Sequence, residues 1–331
     1  MQIEKLNTKM ESLFFIRKRK WVKSTMILLL FLFLLFNLGG GTYLFVYAIV
    51  NKSISGMELN LDTTVEPNGK LDAIYTDWYA QQSFEEIHMT TDDGINLVGF
   101  YLENSHPTNK LVILPHGYMM DHTIMTAYAK YYYEDGFNIF MADSRGHGRS
   151  EGIYVGMGWL DRLDYLQWIN LLLECKGQDI EIVMHGISMG GATVLFISGE
   201  TLPEQVKVLI SDCSFDSVYN IFSYHSQQMV GALSKPFMNI ANLQSRILAG
   251  YSFRDGDAIA QVAKSEKPIM VIHGDADSFT PVEMANMIYT AINTPKELWI
   301  VPSSDHGKAF DDYPDVYFER VRAFYNQHLN R

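Results

Sequence analysis

The chain has 331 residues, 47% of them hydrophobic and 13% aromatic, enough for one large α/β domain with an appendage, which excludes disorder on a large scale. Two cysteines, Cys175 and Cys213, exclude a disulfide scaffold and read as inert thiols. Charge is uneven: residues 1–25 hold seven Lys/Arg against Glu4 and Glu11, so the net of −12 leaves −17 on residues 26–331, a balance that repels nucleic acid and anionic lipid headgroups.

The first element is a span. Residues 26–50, MILLLFLFLLFNLGGGTYLFVYAIV, contain no charge over 25 positions, and a helix needs roughly 20 apolar residues to cross the hydrocarbon core. The basic cluster RKRKWVK at 17–23 precedes it and only Lys52 follows closely. The positive-inside bias therefore puts residues 1–25 in the cytoplasm and the C-terminal domain outside the cell membrane, on a single-pass signal anchor. A cleaved signal peptide is the alternative, since the run 26–38 has signal length and Gly39, Gly40 and Gly41 are small. The apolar run resumes as TYLFVYAIV, which favours an uncleaved anchor, and the glycines carry no G-x-x-x-G spacing that would mark a helix-packing surface. Residues 51–70, with Gly, Asn, Asp, Ser and Pro67, read as a linker to a domain over 71–331.

Within that domain, 84–91 and 95–103 alternate in polarity around Asp92-Asp93-Gly94, a hairpin signal. Short apolar runs at 111–115, 137–143, 180–185, 206–212, 268–273 and 296–302 suit buried strands. Helix-like stretches at 158–174, 189–199, 281–293 and 314–328 lie between or after them. The expected fold is α/β: eight strands, mostly parallel, with helices on both faces. Residues 214–262 exceed what one crossover needs and are read as a small helical cap, whose aromatics and methionines suggest an apolar component in the substrate.

The sharpest motif is Gly186-Ile187-Ser188-Met189-Gly190, directly after an apolar strand and before the helix-like GGATVLFIS. In that setting the serine sits on a tight, strained strand-to-helix turn, and glycines two positions either side relieve the crowding. A serine hydroxyl is a weak nucleophile and needs a base held by a carboxylate. Of the histidines that follow, His273 lies inside a strand, His225 in the cap and His328 in the terminal helix, whereas His306 lies on the loop after the last strand and is the expected base. Asp277, further into the loop after the penultimate strand, is the expected acid, with Asp275 and Asp212 as alternatives. The backbone N–H groups of Met189 and Tyr118 are the expected oxyanion donors, with Gly117 letting the chain turn and His116 structural.

With PHGY (115–118), DSRGHGRS (143–150), GISMGG (186–191), HGDADSFTP (273–281) and SSDHG (303–307), residues 84–328 resemble an α/β-hydrolase. The closest likeness is to membrane-anchored or secreted bacterial members of undefined substrate. The resemblance implies that Asp143, Arg145 and His147 brace the loops around the site, and that the aspartate of H-G-x-x-D-x-x-x-P, here Asp277, is the acid. The oxyanion loop departs from the H-G-G-G pattern of many lipases. The expected activity is a carboxylesterase-like hydrolysis of a small-molecule or lipid-like acyl substrate, with no metal or organic cofactor. A peptidase of the same fold and a non-catalytic binding module are the competing readings. Nothing in the sequence specifies an oligomeric state.

Overall fold

A computed structural model describes residues 2–51, 54 and 71–329. Most of the expected linker 51–70 lies outside the described residues.

The described residues form an eight-stranded sheet in the order β1-β2-β4-β3-β5-β6-β7-β8. Strands β1 (Glu85–Thr90) and β2 (Asn96–Leu102) make the expected hairpin, and β2 runs antiparallel to β4 (Asn138–Ala142). From β4 onward every pairing is parallel, through β3 (Lys110–Ile113), β5 (Glu181–Ile187), β6 (Val206–Asp212), β7 (Ile269–Gly274) and β8 (Lys296–Val301). The central strands are largely apolar because helices cover both faces, and every residue of β4, β5 and β7 is buried. β1 lies at the edge and alternates between exposed and half-buried.

One face carries α2 (Leu71–Ala80), α3 (Thr126–Glu134) and α11 (Pro314–Tyr325), packed through aromatics such as Tyr132, Tyr317 and Phe318. The other carries α4 (Asp161–Lys176) and α5 (Met189–Ile197) around Trp168 and Phe196. α9 (Val282–Ala291) links β7 to β8, and a short α10 (Ala309–Asp312) precedes α11. α11 ends at Tyr325, so His328, expected inside the terminal helix, lies in the turn after it. The interval 214–262 is helical: α6 (Val218–Val230, capped by Ser217), α7 (Ser234–Gln244), a π-helical turn (Ser245–Ala249) and α8 (Ala258–Val262).

The N-terminal helix α1 is one continuous helix, Gln2–Ile49, not a separate element beginning near residue 26. Lys, Arg, Glu and Gln are good helix formers, so the basic segment extends the apolar helix rather than interrupting it. From Phe14 to Phe36 its side chains are exposed, while Leu44, Phe45 and Ile49 are buried in the core. Of the glycines at 39–41, all expected to carry no packing role, Gly40 and Gly41 have one. A Cβ on Gly40 would lie 2.3 Å from the Phe237 ring, and one on Gly41 would lie 2.3 Å from Ile240 Cβ. Only the absence of a side chain lets α7 approach α1 so closely.

Candidate functional site

The site stands where β5 turns into α5. Ser188 has φ +53° and ψ −118°, a strained conformation costing about 1–3 kcal/mol that persists only because its surroundings over-determine it. Those surroundings are backbone. A Cβ on Gly186 would lie 2.2 Å from the Gly190 carbonyl oxygen, and one on Gly190 would lie 2.1 Å from that of Pro115. The Ser188 N–H donates to the Asp212 carbonyl (2.9 Å), locking the turn to β6.

Loops at the same end of the sheet converge on the Ser188 hydroxyl. His306 Nε2 lies 2.9 Å from Ser188 Oγ, and His306 Nδ1 lies 2.8 Å from Asp277 Oδ2. Asp277 Oδ1 accepts from the N–H groups of Thr280 (2.6 Å) and Phe279 (2.9 Å), and its side chain is fully buried. Burial by itself would raise its pKa, but hydrogen bonds and charge from His273 and His306 outweigh that and hold the carboxyl at about 2. His273 sits in β7 with Nε2 donating to the Thr280 carbonyl (2.8 Å), so it braces the loop from below.

The alternatives for the acid are engaged elsewhere. Asp275 accepts from the Ser303 N–H (2.6 Å), tying the β7 and β8 loops together. Asp212 accepts from the Tyr317 hydroxyl (2.7 Å) on the α11 side of the sheet, where burial pushes its carboxyl up to about 6.

The expected bracing residues form a connected network. His116 Nε2 accepts from the Ser144 N–H (2.9 Å), which fixes the proton on Nδ1, and Nδ1 donates to the Gly117 carbonyl (2.7 Å). Gly117 itself passes close to the serine, since a Cβ there would lie 3.5 Å from Ser188 Cβ. Asp143 accepts from the backbone N–H groups of His122 and Arg149. Arg145 clamps Asp164 through two nitrogens and reaches Asp93 at 2.8 Å. His147 Nδ1 donates to the Arg145 carbonyl (3.0 Å), and burial together with neighbouring His116 lowers it to about 3. Asp121, His122 and Asp143 bring metal-type donors within 4.8 Å of one another. Both His122 nitrogens are occupied, Nδ1 by Asp143 (2.8 Å) and Nε2 by the Tyr79 hydroxyl (2.9 Å), so the cluster is a hydrogen-bonded brace rather than a cation cradle.

Two cavities meet at Ser188. One, of about 400 Å³, is walled by Leu44 and Tyr47 of α1 and by Phe222, Met238 and Phe253 of the cap region. The other, of about 800 Å³, lies toward Tyr79, Met119, Phe279 and Phe310. His225, set aside in the sequence because it falls in the cap, lines the smaller cavity, and its ring lies 4.3 Å from that of Phe279, which in turn lies 4.8 Å from that of His306. Burial, helped by His306, lowers His225 to about 4, and its Nε2 has no partner among the described residues. Helix amphipathicity alone could not have singled it out, because the contact depends on how α6 folds back over the sheet.

A family model described as serine aminopeptidase, S33, matches residues 106–264, a stretch that includes Ser188 and stops short of Asp277 and His306. The uncharacterized protein YfhR of Escherichia coli K12 is 30% identical over 257 residues, covering 75% of this chain and 82% of its own. The chain belongs to the α/β-hydrolase superfamily. YqkD of Bacillus subtilis, also uncharacterized, is 26% identical to this hydrolase over 248 residues, 73% of the chain and 81% of its own length. Among solved structures, the Pyrococcus furiosus esterase Pf2001 shares the hydrolase fold with a TM-score of 0.63 at 20% identity, over 76% of this chain and 95% of that one.

Proposed function

We propose that this α/β-hydrolase is a serine hydrolase cleaving an ester or related acyl bond through an acyl-enzyme, with Ser188 as nucleophile, His306 as base and Asp277 as acid. The observation that carries the reading is His306, 2.9 Å from Ser188 Oγ through Nε2 and 2.8 Å from Asp277 through Nδ1. As Ser188 Oγ bonds to the substrate carbonyl carbon, its proton passes to His306 Nε2. The N–H groups of Met189 and Tyr118 hold the oxyanion. The alcohol leaves with that proton, and water deprotonated by His306 releases the acid and restores the serine. Asp277, ionised throughout the working range, holds the His306 tautomer and stabilises the imidazolium.

An acyl substrate suits the smaller cavity, which no carboxylate lines among the described residues. An aminopeptidase would want such a group there for the substrate's ammonium, so peptide cleavage, suggested by the family description, is the second reading. Labelling of the membrane fraction with a fluorophosphonate tests both. Wild type is expected to label and Ser188→Ala is not, and p-nitrophenyl esters should turn over faster than aminoacyl p-nitroanilides. Absence of labelling in folded wild type would return the chain to the binding-module reading, and the opposite substrate order would favour the peptidase.

We also take residues 26–50, which are helical in α1 as far as Ile49, as an uncleaved single-pass anchor at the cell membrane whose last turns enter the domain core, with residues 1–25 cytoplasmic and the domain over 71–331, cap 214–262 included, outside. Support comes from the uncharged run that fills the helix segment Phe14–Ile49 after Lys23, and from the cations at 17–23 before it. It also comes from the bonding of the helix end into the domain, where the Val155 N–H donates to the Ile49 carbonyl at 2.8 Å. Protease added to intact cells should degrade the domain and spare the N-terminus. A domain protected until the cells are lysed would reverse the orientation.

A further inference from the structure

The helix that anchors the domain also walls its cavity, and the depth at which the two meet has a consequence for the substrate. A span of roughly 20 residues, counted from Lys23, the last cation before the apolar run, reaches Tyr43. α7 meets α1 inside that span. Phe36 and Phe237 stack edge to face at 5.5 Å, Gly40 and Gly41 admit Phe237 and Ile240, and Gln244 Nε2 donates to Thr42 Oγ1 at 2.7 Å. The cap therefore lies at the depth of the leaflet and not above it. Its outer surface agrees: Leu243, Ile247 and Leu248 are 52%, 70% and 52% exposed. In an otherwise acidic domain, residues 217–254 contain no Asp or Glu and hold Lys235, Arg246 and Arg254, a charge that suits lipid phosphates. One turn beyond the span, Leu44, Tyr47 and Ala48 line the cavity at Ser188 together with Met238 and Ala241 of α7. The Tyr118 hydroxyl donates to the Ala48 carbonyl at 2.8 Å, tying the proposed oxyanion loop to the same turn of α1.

We propose that α1 and the cap together form a lipid-facing mouth, seated in the membrane, through which the acyl chain of a membrane-resident lipid ester passes from the bilayer into the cavity beside Ser188. This rests on the serine-hydrolase reading above and names its substrate class. The test uses the full chain in nanodiscs of phosphatidylcholine and phosphatidylglycerol, in a Cys175→Ser background. A nitrobenzoxadiazole dye on Ile247→Cys is expected to be quenched by doxyl-labelled lipid and spared by iodide, and a dye on Glu103→Cys the reverse. If Ile247→Cys behaves as Glu103→Cys does, the cap is not in the leaflet and the inference is wrong. Filling the wall with Ala48→Phe is expected to lower the turnover ratio of p-nitrophenyl laurate to p-nitrophenyl acetate at least tenfold. Met238→Phe, on α7 and lining the same cavity, carries the same expectation should Ala48→Phe fail to fold. An unchanged ratio in a folded variant whose Ser188 still takes fluorophosphonate would overturn the acyl path alone, whereas wild type that takes no fluorophosphonate would sink the hydrolase reading itself.

Discussion

Replacing His306 by alanine is expected to lower kcat for a short p-nitrophenyl ester by about 10⁶-fold, and adding Ser188→Ala to it is expected to cost almost nothing further. The two side chains act as a unit. Without the base at 2.9 Å the Ser188 hydroxyl keeps its proton and is a poor nucleophile, and without the hydroxyl the base has nothing to activate. What survives either change is the oxyanion site and substrate binding, worth roughly 10³–10⁴-fold over water. Single and double variants should therefore fall on one floor, measured as kcat on protein whose circular dichroism matches wild type. If the double variant is slower than either single one by the product of their effects, the residues work independently, and the shared proton transfer is wrong. His225 supplies an internal control. It lines the same cavity as a half-buried neutral imidazole, and among the described residues it makes no hydrogen bond to Ser188, so His225→Ala should change KM and chain preference far more than kcat.

Much of this was legible in the sequence because parallel strands buried on both faces leave an unmistakable apolar run. β5 and β7 read directly from 180–185 and 268–273, and loops at the C-terminal ends of such strands face one side. That places Ser188, the 275–281 loop and His306 at one edge on the sequence alone. The choice between Asp275 and Asp277 turns on two residues of loop, and the hydrogen bonds separate them: one ties strand loops together while the other reaches His306. What could not be read is long-range packing. Gly40 and Gly41 have no partner in their own helix, and their reason is Phe237 and Ile240, some two hundred positions away. The contribution of Leu44 and Tyr47 to the cavity was hidden likewise, because an apolar span gives no sign of which of its residues leave the lipid to join a core. α2 and α3 were not singled out either. In a Tyr-rich segment such as TAYAKYYYE the tyrosines dilute the helical propensity of Ala, Lys and Glu, and tertiary packing against Phe310 and Phe318 decides.

Asp277→Asn is the second large effect, expected to lower kcat/KM by about 10⁴-fold with little loss of stability. An amide still accepts from Thr280 and Phe279, so the loop should hold, but its NH₂ facing His306 Nδ1 would favour the wrong tautomer and remove the charge that steadies the imidazolium. Because Asp277 is held at about 2, its own protonation lies below the range in which the enzyme is assayed, so the variant should lose rate across pH 5–9 and not only at the acid end. Asp275→Asn, which disturbs only the Ser303 contact, should stay within about threefold of wild type. Asp212→Asn removes a buried carboxyl bonded to Tyr317 and should register in denaturant midpoint more than in kcat. The discriminating measurement is the ordering of the three variants in kcat/KM. If Asp212→Asn or Asp275→Asn proved as damaging as Asp277→Asn while remaining as stable, the acid would have to be reassigned, and the 2.8 Å contact between Asp277 and His306 would be structural only.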